Sequence, residues 1–316
     1  MNKQVTLLFP GQGSQYVGMG MPQYSQVKEI FERADKTLDF PLTKLMFEGP
    51  EDQLKLTENT QPAIITHSVA LLTILTQELK KLDITVNRCL GHSVGEYAAL
   101  IAIGSLTFEN ALRLVRARGQ FMQQAVPLGV GAMYALLKVP EEIVIKACRE
   151  ASSPGNEVMP ANFNEPNQIV ISGHKDATEK AVAWLKANFP QPHRAMELPV
   201  SAPFHSRLMR PAAVKMQETL FNVSLCPNEI AYIANIDANE YAPGTKAEQI
   251  KENLHRQIEG SVLWMQSIRS LPEETVCLEV GPGRVLAGLV KKTRPDLKTL
   301  SLDQEGAFQQ LKGIFQ

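Results

Sequence analysis

The chain alternates short, uncharged, β-branched runs with stretches of helical period. Residues 5–9 form an unbroken apolar run, the signature of a strand buried on both faces. It ends in the glycine-rich loop Pro10-Gly11-Gln12-Gly13-Ser14-Gln15. Residues 23–38 and 50–57 are helical in spacing but polar, and read as surface covers. A longer helix opens at Thr60-Gln61-Pro62-Ala63, with proline near its first turn. It carries Ile64, Val69, Leu71, Leu72 and Leu75 to Lys81 and should bury one face. A strand over 84–90, a helix over 94–103 closed by Gly104, and a helix capped by Thr107 and running to Gln124 follow.

Between 128 and 198 the pattern changes. Strand 132–139, helix 140–152, strands 158–162 and 168–172, helix 176–188 and strand 193–198 give the order β-α-β-β-α-β, the ferredoxin-like arrangement. Beyond it come a helix over 208–222, a buried strand over 230–236 and one helical stretch over 247–270 holding Gln257 and Trp264. A strand over 275–280 stops at Gly281-Pro282-Gly283-Arg284, and helix 285–292 and strand 299–302 end the pattern. The expected fold class is α/β: an α/β-hydrolase-like large domain over 1–127 and 199–316, with an inserted ferredoxin-like small subdomain over 128–198. Such an insertion creates a cleft, where substrates commonly bind.

The stretch Gly91-His92-Ser93-Val94-Gly95 contains Gly-x-Ser-x-Gly between a strand and a helix. That context makes it a nucleophile elbow: the two glycines remove side chains where strand and helix crowd, leaving the Ser93 hydroxyl exposed above the sheet. The helix N-terminus behind it offers N–H groups to an oxyanion. The first glycine loop admits three readings. It is a plain strand-ending turn, a phosphate loop (which the missing Gly-Lys-Ser/Thr argues against), or a second source of oxyanion N–H groups beside the serine.

A serine nucleophile needs a base. His205, in the loop Pro203-Phe204-His205-Ser206 before a helix, is the best placed of the six histidines. His92 adjoins Ser93, so its side chain should project elsewhere. His67 lies within the long helix and reads as a core histidine, His174 and His193 fall in the insertion, and His255 remains a weaker alternative. Arg113, Arg116 and Arg118 ladder along one helix, usually a solvated face; one of them reaching a pocket would clamp a carboxylate in bidentate fashion.

Composition narrows the class without deciding it. Thirty-two Lys plus Arg against thirty-three Asp plus Glu leave a net charge of −1, which gives no footprint for nucleic acid or an anionic membrane. The basic run Lys291-Lys292-Thr293-Arg294 reads as a solvated helix end. Four cysteines are scattered without CxxC pairing, so neither zinc nor a disulfide framework is indicated. The first apolar run is too short for a signal-peptide core or a membrane span, and with reduced cysteines the expected location is the cytoplasm. No metal or redox cofactor is expected.

Taken in order, these segments resemble the malonyl-CoA:acyl carrier protein transacylases of fatty-acid and polyketide synthesis over nearly the whole chain. The resemblance rests on Phe9 to Gln15, Gly91 to Glu96, Arg116 to Gln123, Ala161-Asn162-Phe163-Asn164, Gln168 to Gly173, Pro203 to Ser206, Asn235-Ile236-Asp237-Ala238, Gln257 and Glu279 to Gly283. It implies that Ser93 is acylated, that His205 is base and acid, and that backbone carbonyls hold His205 in place of an aspartate. It further implies that Gln12 and Val94 supply oxyanion N–H groups, that Arg118 pairs with the malonyl carboxylate and that Gln257 fixes the site. His92 is implied to contact substrate, and Phe204 to disfavour a 2-methyl branch. Malonyl-CoA and an acyl carrier protein would be the partners, with CoA leaving as product.

One departure from the family pattern is Ser261-Val262-Leu263-Trp264, where a Pro-Val-x-Trp run is common. It bears on local helix geometry and carrier docking. Two other readings share the fold: a discrete polyketide acyltransferase with the same chemistry, and an editing acyl hydrolase that would not need Arg118. A docking module without activity would be expected to lack Ser93, His205 or Arg118.

Overall fold

The computed structural model describes residues 3–315; residues 1, 2 and 316, at the ends of the expected large domain, lie outside it. Among the described residues the strands are β1 (Gln4–Phe9), β2 (Thr85–Gly91), β3 (Gly131–Leu137), β4 (Val158–Glu165), β5 (Gln168–His174), β6 (Arg194–Glu197), β7 (Ala231–Ile233), β8 (Glu240–Tyr241), β9 (Val276–Glu279) and β10 (Lys298–Ser301). One sheet has the order β10-β9-β1-β2-β7-β8 and the other β4-β5-β3-β6. The first is parallel except for the β7–β8 hairpin, and β1 lies at its centre with Val5 to Phe9 buried. That burial explains the uncharged run: helices cover both faces of a parallel sheet.

Register decides where chemistry can occur. Leu8 pairs with both Leu90 and Glu279, and Phe9 with Gly91, so β1, β2 and β9 end level. Their glycine turns therefore emerge side by side at the carboxyl edge of the sheet, the usual place for a ligand site in α/β folds.

Helix Thr57–Lys81 runs behind these turns, and its first half is buried on nearly every side, including Thr60, Gln61, His67 and Ser68. It is long and apolar enough to span a membrane by length and composition, but 67% of that window is buried inside the fold, as in a core helix. It begins three residues before the expected Thr60, so Pro62 lies inside it. The proline ring leaves the Glu58 carbonyl without its helical donor, and Arg116 Nη1 donates to that carbonyl at 2.9 Å.

The second sheet is antiparallel, in the element order expected for 128–198. Leu136, Ile169 and Ile171 pack on helices Glu141–Ala151 and Lys175–Asn188, whereas Met133, Ala135 and Val170 turn the other way and join the main core. Alternation along β3 and β5 thus builds two cores from one sheet.

Two further expectations need correction, and one helix stands where none was expected. The stretch 247–270 is two helices, Ala247–Glu259 and Trp264–Arg269, with an extended break between them. Within the break Val262 donates to the Ala161 carbonyl at 2.8 Å and accepts from Phe163 N–H at 2.9 Å, extending β4; backbone pairing outcompetes helical propensity there. Residues 23–38 are not merely a polar cover: helix Lys28–Leu38 buries Ile30, Phe31 and Ala34. Helix Leu42–Glu48, too short to show a clear period, was not expected; Leu42, Leu45 and Met46 are buried.

Candidate active site

The turn after β2 is as tight as its glycines suggest. A Cβ on Gly91 would lie 2.0 Å from the Gly95 carbonyl carbon, and one on Gly95 would lie 2.1 Å from the Phe9 carbonyl oxygen. Between them Ser93 has φ 51°, a left-handed conformation that costs a non-glycine residue about 1–3 kcal/mol. The surroundings hold it there. Ser93 N–H donates to Asn235 Oδ1 at 2.6 Å, while Asn235 Nδ2 donates to the Gly91 carbonyl at 2.5 Å. Gln257 Nε2 donates to the Ser93 carbonyl at 3.0 Å.

His205 is buried and also left-handed, with φ 57°. Its Nδ1–H donates to the Gln257 carbonyl at 2.9 Å and to the Gly260 carbonyl at 3.2 Å. Those carbonyls are available because the helix Ala247–Glu259 stops beside them. With Nδ1 protonated, Nε2 is an acceptor, and Ser93 Oγ–H donates to it at 2.8 Å. Burial, reinforced by the Arg118 charge, pushes the imidazole pKa down to about 3 against the opposing pull of the two carbonyls. The ring is therefore neutral, the form a base requires. Burial likewise lowers the pKa of His92.

The three arginines of helix Phe108–Gln123 separate completely. Arg113 touches Asn110 at an exposed position. Arg116 caps the Glu58 carbonyl and lies 4.7 Å over the Phe40 ring. Arg118 alone turns inward and is 1% exposed. It donates from Nη1 to Gln61 Oε1 at 2.9 Å, and from Nη2 to Gln257 Oε1 at 2.9 Å and Ser93 Oγ at 3.1 Å. Its Nε meets no acceptor among the described residues. No carboxylate lies within ion-pair distance of its guanidinium among the described residues, although burial disfavours the charge.

These groups line a cavity of about 180 Å³ between the two sheets, walled by Met122, Met133, Val170, Leu198, Val200 and Phe204. Gln12 reaches it from the loop after β1, with its Nε2 3.5 Å from Thr57 Oγ1. Gly11 packs so closely on the elbow that a Cβ there would lie 2.5 Å from the His92 carbonyl oxygen. Val94 caps the following helix, and neither its N–H nor that of Gln12 donates to a backbone carbonyl among the described residues. His92 does not point away: it lines the cavity, and its Nε2 lies 2.8 Å from Asn164 Oδ1, bridging the sheets. Phe204, beside His205, is buried against the same space. His255 does not line it, and His67 is buried 3.2 Å from Asp303 Oδ1 in poor alignment for a hydrogen bond.

Reading the sequence alone missed Gln61, Asn162, Asn164 and Asn235 as site residues, along with the buried Glu96 behind the elbow. Four of them lie inside segments already singled out, so their positions were visible but not their partners. Gln61 carried only the weak signal of a polar residue in an apolar helix.

The acyl transferase domain family matches residues 6–306. The chain is 43% identical over 318 residues to the malonyl CoA-acyl carrier protein transacylase of Bacillus subtilis, covering 98% of each chain. It belongs to the malonyl-CoA:acyl carrier protein transacylase family. Solved structures of the family agree with the fold. The acyl carrier protein S-malonyltransferase of Vibrio cholerae superposes with a TM-score of 0.89 at 38% identity, covering 98% of this chain and 99% of that one. A malonyl-transacylase solved in complex with a type II PKS acyl-carrier protein superposes at 0.90 with 35% identity, covering 99% of each. The stretch Ser261-Val262-Leu263 lies in the extended break at 260–263, where Gly260 supplies a carbonyl to His205, and Trp264 opens the next helix.

Proposed function

We propose that this chain transfers a malonyl group from malonyl-CoA to the phosphopantetheine thiol of an acyl carrier protein through an ester on Ser93. One observation carries the reading: Ser93 Oγ lies 2.8 Å from a neutral imidazole and 3.1 Å from a buried guanidinium without a carboxylate partner. A nucleophile, a base and a guanidinium with no carboxylate partner converge on one small cavity. Family membership supports the same substrates.

The steps follow from that geometry. Ser93 Oγ attacks the thioester carbonyl as His205 Nε2 takes its proton. The N–H groups of Val94 and Gln12 receive the developing oxyanion. The imidazolium formed is stabilised by the Gln257 and Gly260 carbonyls, at the negative end of helix Ala247–Glu259. Collapse breaks the C–S bond, and His205 returns its proton to the leaving sulfur, releasing CoA. The carrier thiol then gives its proton to His205 and attacks the ester, and Ser93 leaves with that proton. Arg118 neutralises the free malonyl carboxylate, an unpaired charge that would otherwise be costly in a dry pocket. Phe204 narrows the space beside the acyl carbon.

We read 128–198 as a ferredoxin-like subdomain that closes this cleft, and the cytoplasm as its location, consistent with four unpaired cysteines. Intact-mass measurement tests both halves of the reaction. The expected result is a malonyl adduct on Ser93 that disappears when holo-carrier protein is added and reappears on the carrier. Absence of the adduct, or loss of it to water without transfer, would overturn the reading.

A further inference from the structure

Behind the elbow lies a carboxylate that the mechanism does not use. Glu96 is 1% exposed, in the first turn of helix Gly95–Ala102. No cation approaches it within ion-pair distance among the described residues, and burial raises its pKa to about 7 against its hydrogen bonds. A buried carboxyl without a cation is an expensive choice where an apolar residue would pack. What it touches explains it. Oε2 accepts from Gln257 Nε2 at 2.7 Å and from Asn235 N–H at 3.2 Å. It holds both groups that bracket Ser93: Asn235 on its N–H and Gln257 on its carbonyl.

A side-chain amide can face either way, and the two ends of Gln257 meet different partners. As placed, Nε2 faces Glu96 and the Ser93 carbonyl, and Oε1 faces Arg118 Nη2. Turned over, the amide would set donor against donor at Arg118 and acceptor against acceptor at Ser93. Arg118 and the Ser93 carbonyl thus favour one orientation, and the Glu96 acceptor anchors the amide in it with a further hydrogen bond. We propose that Glu96 is a positioning residue that anchors the Gln257 amide in this orientation and thereby holds Arg118 in its carboxylate-binding pose. This rests on the reading of Arg118 as the malonyl clamp.

Two variants separate polarity from packing, one of the same shape and one shorter by a methylene. Glu96→Gln keeps the shape but replaces a carboxylate acceptor by an amide that can also donate, so the Gln257 amide is held less firmly. The expected result is a malonyl-to-acetyl ratio of kcat/KM lowered about tenfold, roughly the worth of one hydrogen bond to a charged group. The loss should fall mainly on KM for malonyl-CoA. Glu96→Asp remains an acceptor and should keep the ratio even if kcat falls. In a Gln257→Ala background, Glu96→Gln should change the ratio no further, because the effect travels through that amide. The Gln257 side-chain N–H signals, assigned by their loss in Gln257→Ala, should exchange slowly in the wild type and faster in Glu96→Gln. An unchanged ratio in Glu96→Gln, or an equal loss in Glu96→Asp, would overturn the proposal. If instead Arg118→Ala leaves the ratio unaltered, the clamp reading fails, whereas the amide signals still report on Glu96 alone.

Discussion

Two glycine turns leave the same edge of the same sheet, yet only one is a reaction site. Both the turn after β2 and the turn after β9 follow a parallel strand whose carboxyl end is buried, and both open a helix. At the second, Glu279 folds back over its own turn: Oε1 accepts from Leu286 N–H at 2.8 Å, and Oε2 from Ala287 N–H at 3.0 Å and Ser301 Oγ at 2.6 Å. Gly283 N–H is engaged by Asp303 at 2.7 Å. The helix N-terminus there is already filled by carboxylates. At the elbow the level position in β2 is Leu90, and the nearest acidic residue, Glu96 in the following helix, points away to Gln257 and Asn235, so the Val94 N–H remains available beside Ser93. A helix N-terminus becomes an anion site only when the protein leaves it open.

The comparison can be broken at several points. The largest effect is expected from Ser93→Ala or His205→Ala, which should lower kcat/KM by on the order of 10⁴-fold or more, with no acyl adduct by mass. Residual adduct on Ser93→Ala would place the nucleophile elsewhere. Arg118→Ala should cost about 100-fold toward malonyl-CoA and little toward acetyl-CoA, as expected for a buried charged contact. Equal losses with both donors would show that Arg118 serves only to hold the turn.

The pH dependence should be displaced in a defined direction. His205 works as a neutral base, so activity is lost as pH falls through its pKa, which the structure depresses to about 3. The acidic limb of kcat/KM should therefore lie well below the ordinary histidine range, near 6.5. A limb at or above that range would contradict the burial of the ring. The smallest effect is expected from Glu279→Gln, which removes a cap and should cost about 1–2 kcal/mol in stability. Thermal melting should detect it, while kcat per folded molecule should be unchanged. A large fall in kcat without a lower Tm would make the second turn part of the site after all.

Much of this was legible in the sequence because it is local. Periodicity marked the strands that end at the site, and Gly91 and Gly95 announced a turn with no room for side chains. Of the histidines, His205 is the one whose ring lies 2.8 Å from Ser93 Oγ. What escaped was non-local. The break at 260–263 depends on pairing with β4, about a hundred residues earlier. In the early start of the long helix, the carbonyl that Pro62 leaves without a donor is satisfied by Arg116, from a helix some fifty residues later.

The sequence by itself determined most of the elements, the elbow and the family, since each is written in short-range spacing and in motifs held in a fixed order. Tertiary structure decided which of three arginines enters the pocket, which of two glycine turns stays open, and which way the Gln257 amide faces. Those outcomes depend on burial and on hydrogen-bond partners brought together from distant parts of the chain. Ser93, Arg118, His205 and Gln257 are one network in space, and no single stretch of sequence contains it.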